Sequence, residues 1–221
     1  TSGAKFPATR VLEDSGMPHT SLAFRPTATN FDALSALQWA QQEADWIGLR
    51  FVHETHHHRS ARNGHVESNQ ILESRGVMVE AMVDGFIAYS ATSDLSKDGI
   101  RLAARRAAET ARSTSPYRLF DFTPALRPSG HCSHQGPSRV HLDRSSLEAF
   151  TSSLIEATRK LKVSERIVTA LAEAALIESQ THYVSSEGAD LRQQQLLTYQ
   201  NFGAIAVDGT ESQQRTLNGG A

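Results

Sequence analysis

The sequence predicts an α+β protein: an antiparallel four-stranded sheet with flanking helices, followed by a helix and the start of a second β-rich domain. Residues 47–92 carry apolar side chains at a period of two, and helical apolar periods flank this stretch. Two Gly-containing turn signals, Asn63-Gly64 and Asp84-Gly85, divide it into hairpins. At 221 residues, 39% of them hydrophobic, the chain is long enough for one compact core and a second, partial one.

The first predicted element is a helix over residues 31–45. Asn30 is a good N-cap, and Phe31, Leu34 and Leu37 follow at helical spacing. Alternation from residue 47 then predicts a strand into the histidine-rich run at 53–58. Further strands are expected at 65–74, 76–83 and from residue 86, which gives a four-stranded meander.

A second helix is expected over residues 95–112, capped by Ser93 or Asp94. Its apolar stripe includes Ile100 and Ala107, so the element order α-β-β-β-β-α favours helices that cover one face of the sheet. Prolines then concentrate in residues 113–140, which is typical of a linker. The predicted division is an irregular arm at 1–29, an N-terminal domain at 30–113, a linker at 114–141 and a truncated second domain at 142–221.

The second domain begins with a clear helix after Asp143, with Leu147 and Leu154 on its apolar side. Residues 164–183 are ambiguous from the residues alone, because Ala and Glu favour helix while the same run fits two strands. A turn at 186–188, a strand, an Asp208-Gly209 turn and a strand start follow. The order of elements in the two halves suggests a weak internal repeat.

Composition narrows the classes of function. Lys and Arg number 22 against 24 Asp and Glu, so the net charge of −2 provides no field to attract nucleic acid or an anionic membrane. One cysteine rules out an internal disulfide and fits a reducing compartment. We find no apolar run of membrane-spanning length and no signal peptide, so a cytoplasmic location is expected. The start at Thr1 and the end just after a strand suggest a piece of a longer protein.

His53-Glu54-Thr55-His56-His57 matches the zinc-protease pattern H-E-x-x-H literally. That chemistry needs both imidazoles on one helical face, whereas Phe51-Val52 and Asn63-Gly64 place this run on a strand that enters a hairpin. At about 3.3 Å per residue, His53 and His57 would lie roughly 13 Å apart. The sequence therefore predicts no shared metal, and we assign no catalytic, cofactor-binding or metal residues.

Two other groupings are weaker candidates. His131, Cys132 and His134, with His141 nearby, have metal-ligand side chains, but their spacing fits no zinc module and they lie in the linker. Cys132 has no positioned base beside it, which argues against a nucleophile. Arg101, Arg105 and Arg106 form a basic cluster, and Glu109 at i+4 from Arg105 favours a solvated helix face over an anion site.

Three ordered motifs resemble the N-terminal domain of the TldD/PmbA family, once called modulators of DNA gyrase. They are residues 62–68 (RNGHVES), 73–79 (ESRGVMV) and 84–92 (DGFIAYSAT). The family signature reads R-N-G-x-[LV]-E, then R-G-[VI]-x-V, then D-G-x-x-G-[FY]-[AS]-[ST] before an Ala-rich helix. Here Ala88 stands where a second glycine is usual, and residues 185–188 resemble the family's N-S-x-G hairpin imperfectly.

The resemblance implies a subunit of a cytoplasmic zinc metallopeptidase that degrades unfolded peptides, as a homodimer or a pair of related subunits. In the catalytic branch an H-E-x-x-x-H helix and a later cysteine hold the zinc. The letters of residues 53–58 (HETHHH) match that pattern, but the resemblance places this run on a strand of the N-terminal sheet and the helix beyond the end of this sequence. The resemblance therefore implies the non-catalytic N-terminal portion, without zinc of its own, and two strands at 164–183. The alternative is a stand-alone module that binds an extended peptide at a sheet edge.

Overall fold

The computed structural model describes residues 31–136 and 144–220. The predicted arm at 1–29, the candidate ligand His141 and the expected cap Asp143 lie outside this part. The helices are α1 (Ala33–Ala40), α2 (Lys97–Thr114) and α3 (Arg144–Leu161). The strands are β1 (Trp46–Arg62), β2 (His65–Val83), β3 (Phe86–Thr92), β4 (His131–Gln135), β5 (Ile167–Ser185), β6 (Asp190–Asp208) and β7 (Glu211–Gly220). In the described part, no helix is long and apolar enough to cross a membrane.

The α+β class is confirmed, but the four-stranded sheet is wrong: seven strands form one strongly curled sheet. Their order is β3-β2-β1-β5-β6-β4, and β7 also pairs with β6. Neighbours are antiparallel except β4 and β6, which are parallel. β1 pairs with β5 from Gly48 to Arg62, so strands from both predicted domains share this sheet. The boundary at 114–141 stays a prediction, and its described part holds two 3₁₀ turns as well as β4.

The expected strands at 65–74 and 76–83 are one continuous strand, β2. Gly76 does not form a turn but lies in the ladder opposite Val52. A Cβ there would come within 3.0 Å of the Thr92 carbonyl oxygen, so this glycine permits a close backbone approach. Because β1 is almost as long and pairs along its whole length, the ladder continues through this residue.

Residues 164–183 form neither a helix nor two strands, because most of them belong to the single strand β5. This strand has β1 on one side and β6 on the other, so both of its edges are hydrogen-bonded. Its residues alternate between the two faces of the sheet, and Ala172 and Ala174 pack against Leu154 of α3. Pairing on both edges outweighs the helix propensity of its Ala and Glu residues.

The predictions of the first two hairpin turns are confirmed, whereas the predicted caps are not: Ser93 and Asp94 do not cap α2, and Asn30 lies outside the described residues. Asn63 and Gly64 have φ of 50° and 85°, and Asp84 and Gly85 have φ of 50° and 70°, as tight hairpin turns require. The helices exist where expected, with shifted ends. Asp32 caps α1 through the amide of Ser35, and Ser96 caps α2 through the amide of Gly99.

All three helices pack on one face of the sheet. Ile47, Leu49 and Phe51 of β1 lie in the core cluster that includes α1 and α2. Ala61 of the same strand packs with Leu154 of α3. These β1 residues are an even number of positions apart, so they share a face. Residues 53–59 of β1 lie between the two clusters. Their odd-numbered side chains therefore face the side of the sheet that carries the helices.

Candidate functional site

The polar centre of β1 lies on this helix-bearing face. His53, Thr55 and His57 alternate with residues of the opposite face, so their side chains point the same way. His53 and His57 are nonetheless buried. The predicted strand at the histidine run is confirmed, and with it the reason for doubting the literal H-E-x-x-H match.

Each histidine is paired with a different carboxylate. His53 Nε2 lies 2.8 Å from Glu73 Oε1 on β2, and His57 Nε2 lies 2.9 Å from Glu178 Oε1 on β5. Both carboxylates occupy the positions opposite Thr55, one on each side. The five residues form a cross-strand polar patch, in which the two histidine–carboxylate pairs extend in opposite directions from β1.

This patch has limited chemistry of its own. The Nδ1 atom of His57 is buried and has no hydrogen-bond partner among the described residues. Thr55 is the only hydroxyl among the five residues, and neither imidazole is hydrogen-bonded to it, so the patch shows no activated nucleophile. Of the five residues, Glu73 alone is exposed, so it is the part of the patch that solvent reaches.

These residues do not fit the zinc ion that the family resemblance implies for a complete enzyme. A zinc site needs three or four ligands about 2.0–2.3 Å from one ion. His53 and His57 are instead engaged on opposite sides of β1. Across the described residues, no three His, Cys, Asp or Glu side chains are grouped to hold a metal ion. We therefore assign no catalytic step to a metal in this part of the chain.

The other sequence candidates are separated by the fold. His131, Cys132 and His134 lie on β4 with exposed side chains, and successive residues of a strand alternate between faces. Arg101 and Arg105 each approach Glu43 at 3.6 Å, and these two weak ion pairs connect exposed arginines of α2 to the segment that follows α1. The basic cluster is thus partly neutralised, as expected of a solvated helix face.

Sequence reasoning missed a buried charged cluster on the opposite face of the sheet. Glu80, in the apolar run of β2, is 2% exposed and accepts a short hydrogen bond from Arg127. The Tyr183 hydroxyl donates to the same carboxylate at 3.3 Å, and Arg127 stacks over the Trp46 ring. Glu80 in an apolar strand was a signal that a partner must exist. The partner was not predictable, because Arg127 lies in the supposed linker.

The Glu80 cluster shifts the pKa values of two of its members, Tyr183 and Arg127. Burial and the negative charge of Glu80 raise the pKa of Tyr183 to about 12. Burial opposes the charge of Arg127, but the hydrogen bond and the charge of Glu80 outweigh it and raise the pKa of that guanidinium. Gly48 is part of the same packing, since a Cβ there would come within 2.8 Å of both Trp46 and Tyr183.

A second missed pair lies beside the start of α1. His182 Nε2 contacts Asp190 Oδ1 at 2.8 Å, and Arg192 Nε donates to the same oxygen at 3.3 Å. Burial favours the neutral acid, but these two contacts prevail and lower the pKa of Asp190. His182 and Arg192 line a shallow cavity of about 340 Å³ between α1 and the β5–β6 hairpin.

The fold of this chain is similar to part of several solved structures. A candidate modulator of DNA gyrase from Bacteroides thetaiotaomicron is similar with a TM-score of 0.61 at 14% identity, over 85% of this chain and 44% of that one. TldE from Thermococcus kodakarensis gives 0.57 at 10% identity, over 85% and 42%. A candidate modulator of a DNA gyrase from Thermotoga maritima gives 0.55 at 15%, over 86% and 42%. This chain thus spans less than half the length of these proteins.

The family is found in the segment that carries the three motifs. Residues 48–111 match the family model described as PmbA/TldA metallopeptidase domain 1. They cover most of β1, all of β2 and β3, and most of α2. The resemblance is therefore confirmed in this segment: residues 48–111 match the first domain of the PmbA/TldD family. No curated protein matches the chain.

Proposed function

We propose that this chain is the N-terminal, non-catalytic portion of a TldD/PmbA-type metallopeptidase subunit. The match of residues 48–111 to the first domain of that family carries the proposal. The described residues supply a sheet and helices but no grouped metal ligands. The portion would then act as a scaffold, a dimer contact or a guide for peptides, while zinc and the catalytic Glu belong to another part of a complete catalytic member.

The proposed substrates are unfolded peptides, reached through the complete protein. The proposed assembly is a homodimer or a pair of related subunits in the cytoplasm, without direct nucleic-acid or membrane binding. The polar patch on β1 supports a guiding role, because the exposed Glu73 carboxylate offers hydrogen-bond acceptors to a peptide. The near-neutral net charge supports the lack of nucleic-acid binding.

The proposal is tested on the complete gene product. We expect its reading frame to encode an H-E-x-x-x-H segment downstream of Ala221. Purified, it should cleave a disordered peptide in a chelator-sensitive manner, and replacing the Glu of that segment by Gln should abolish cleavage. A reading frame without such a segment, or cleavage that survives the chelator and the Glu replacement, would contradict the proposal.

The alternative is a stand-alone module that pairs with an extended peptide at a sheet edge. The open side of β2 favours it, since the described residues place no strand against residues 65–76 on the side away from β1. The reading frame separates the two functions: a frame that ends without a peptidase segment, in a protein that binds extended peptides, supports the module.

A further inference from the structure

The shallow cavity between α1 and the β5–β6 hairpin has a regular floor. Phe51, His182 and Arg192 occupy paired positions of β1, β5 and β6, so their side chains lie side by side on the helix-bearing face. Gln180 and Gln194 are paired in the next row of that face. Because the floor consists of ladder residues, the sheet fixes their spacing. The cavity volume of about 340 Å³ is that of a pocket for a small ligand.

The polar side of the cavity offers both a donor and an acceptor. The Asp190 carboxylate contacts His182 Nε2 and accepts from Arg192 Nε, and the two Nη nitrogens of Arg192 have no hydrogen-bond partner among the described residues. The Arg192 side chain is 59% exposed, so these donors can reach a ligand. Because a carboxylate only accepts, Nε2 of His182 carries a proton, and Nδ1 of the neutral ring is an acceptor. The pair therefore suits a carboxylate on Arg192 and an N–H group on His182.

The α1 side of the cavity is apolar. The Phe31 ring stacks on Phe51 with the ring centroids 4.6 Å apart, and both side chains line the cavity. Leu34, in the first turn of α1, also lines it and is 48% exposed. Contact with an apolar ligand group would remove this surface from water, which is favourable. This side therefore suits an aromatic or aliphatic side chain.

Two carboxylates limit the anions that fit the cavity. Asp32 lines it at the start of α1, and Asp190 contacts Arg192. Hydrogen bonds from Ser35 chiefly, and the charge of His182 to a smaller extent, lower the pKa of Asp32, so this carboxyl is ionised at neutral pH. Both carboxylates would repel a phosphate group, which carries nearly two negative charges, more strongly than a single carboxylate. The charges therefore favour a monocarboxylate over a phosphate.

We propose that this cavity binds an α-carboxylate whose residue carries an apolar side chain, as in the C-terminal residue of a peptide or a free amino acid. Arg192 holds the carboxylate, His182 Nδ1 accepts from the adjacent N–H group, and Phe31 and Leu34 contact the side chain. A peptide as the source rests on the proposed function, but the test measures binding rather than cleavage. The two can therefore fail separately.

Isothermal titration calorimetry of the 221-residue chain tests the ligand chemistry. The probes are N-acetyl-L-phenylalanine, its C-terminal amide and free L-phenylalanine. We expect the acetylated acid to bind, and the amide to bind about tenfold more weakly or worse, because the amide forms no charge-assisted pair with Arg192. N-acetylglycine should also bind more weakly than N-acetyl-L-phenylalanine, because it has no side chain to contact Phe31 and Leu34. Tighter binding of the acetylated acid than of free phenylalanine identifies a peptide end as the source, and the reverse identifies a free amino acid.

A variant of Arg192 tests the site. Arg192→Gln should weaken the binding of N-acetyl-L-phenylalanine about tenfold and leave that of the amide unchanged. Arg215→Gln is the matched control, because Arg215 is an exposed arginine on β7 that does not line this cavity. Circular dichroism checks that both variants are folded. Equal binding of the acid and the amide, no detectable binding of the acid, or wild-type binding of the acid by Arg192→Gln would overturn the proposal.

Discussion

The turn between β1 and β2 provides the most specific stability prediction. Asn63 has φ of 50°, and its side chain extends the pairing of β1 with β5: Nδ2 donates to the Val168 carbonyl at 3.1 Å, and Oδ1 accepts from the Ala170 amide at 2.8 Å. The Gly64 amide donates to Thr158 of α3 at 2.8 Å. The turn therefore fastens the hairpin tip to β5 and α3.

We expect Asn63→Ala to lower the free energy of unfolding by about 3 kcal/mol. Each lost hydrogen bond contributes about 1 kcal/mol, and a left-handed backbone costs alanine about 1 kcal/mol more. For a protein of this size the Tm should fall by about 6–12 °C. Asn63→Gly removes the hydrogen bonds but tolerates the backbone, so it should lose about 2 kcal/mol.

Gly64→Val separates backbone strain from lost contacts. A Cβ at Gly64 meets only Arg159 atoms at 3.5 Å or more, so the expected loss of about 1–3 kcal/mol comes from its positive φ. Gly219→Val is the control, because that glycine has open space and no positive φ. Ser96→Val would not serve as a surface control, because Ser96 caps α2 and its replacement would itself destabilise the helix. Chemical denaturation measures all four variants, and an Asn63→Gly variant as stable as the wild type would refute the reasoning.

Three further predictions concern buried charges and the histidines. Arg127→Leu should lower the free energy of unfolding by about 3 kcal/mol, because it leaves the Glu80 carboxylate buried without its cation. Arg118→Leu breaks an exposed pair and should lower it far less, so equal melting temperatures for the two variants would contradict this prediction. Because the pKa of Tyr183 is raised from 10 to about 12, its contribution to the free energy of unfolding is complete below pH 10 and is lost as the pH rises toward 12. An absorbance titration should show one tyrosine that ionises at higher pH than the others, and this transition should disappear in Tyr183→Phe. After dialysis against a weak chelator the chain should retain no stoichiometric zinc, and a retained equivalent that is lost in His57→Ala would show that the H-E-x-x-H run binds metal.

The sequence predicted those features that depend on neighbouring residues. The turns at Asn63-Gly64 and Asp84-Gly85 follow from residues that tolerate positive φ, and the positions of the helices follow from the apolar period. The turn expected at Asp208-Gly209 is shifted by one residue, because Asp208 ends β6 opposite Glu211 and the turn residues are Gly209 and Thr210. The break expected between residues 74 and 76 is absent, because Gly76 permits a close backbone approach within one continuous ladder. The strand character of residues 167–185 depends on β1, which is distant in sequence, as well as on the neighbouring strand β6.

The candidate site was predicted only in part. The strand at His53 and His57 followed from its flanks and is confirmed. The carboxylates that engage these histidines, Glu73 and Glu178, lie 20 and 121 residues away, and only the register of the sheet brings them together. Likewise, nothing local in the sequence joins Glu80 to Arg127, although a buried carboxylate in an apolar strand required a partner.

The most direct test of the central claim compares peptide cleavage by this 221-residue chain with cleavage by the complete gene product. Each is incubated with a disordered peptide, with added zinc and with a chelator. We predict no turnover by the chain alone, because the described residues bring no metal-activated water and Glu base together, and chelator-sensitive turnover by the complete product. Chelator-sensitive turnover by the chain alone that disappears in His57→Ala, or turnover lost only in Cys132→Ala, would contradict the account.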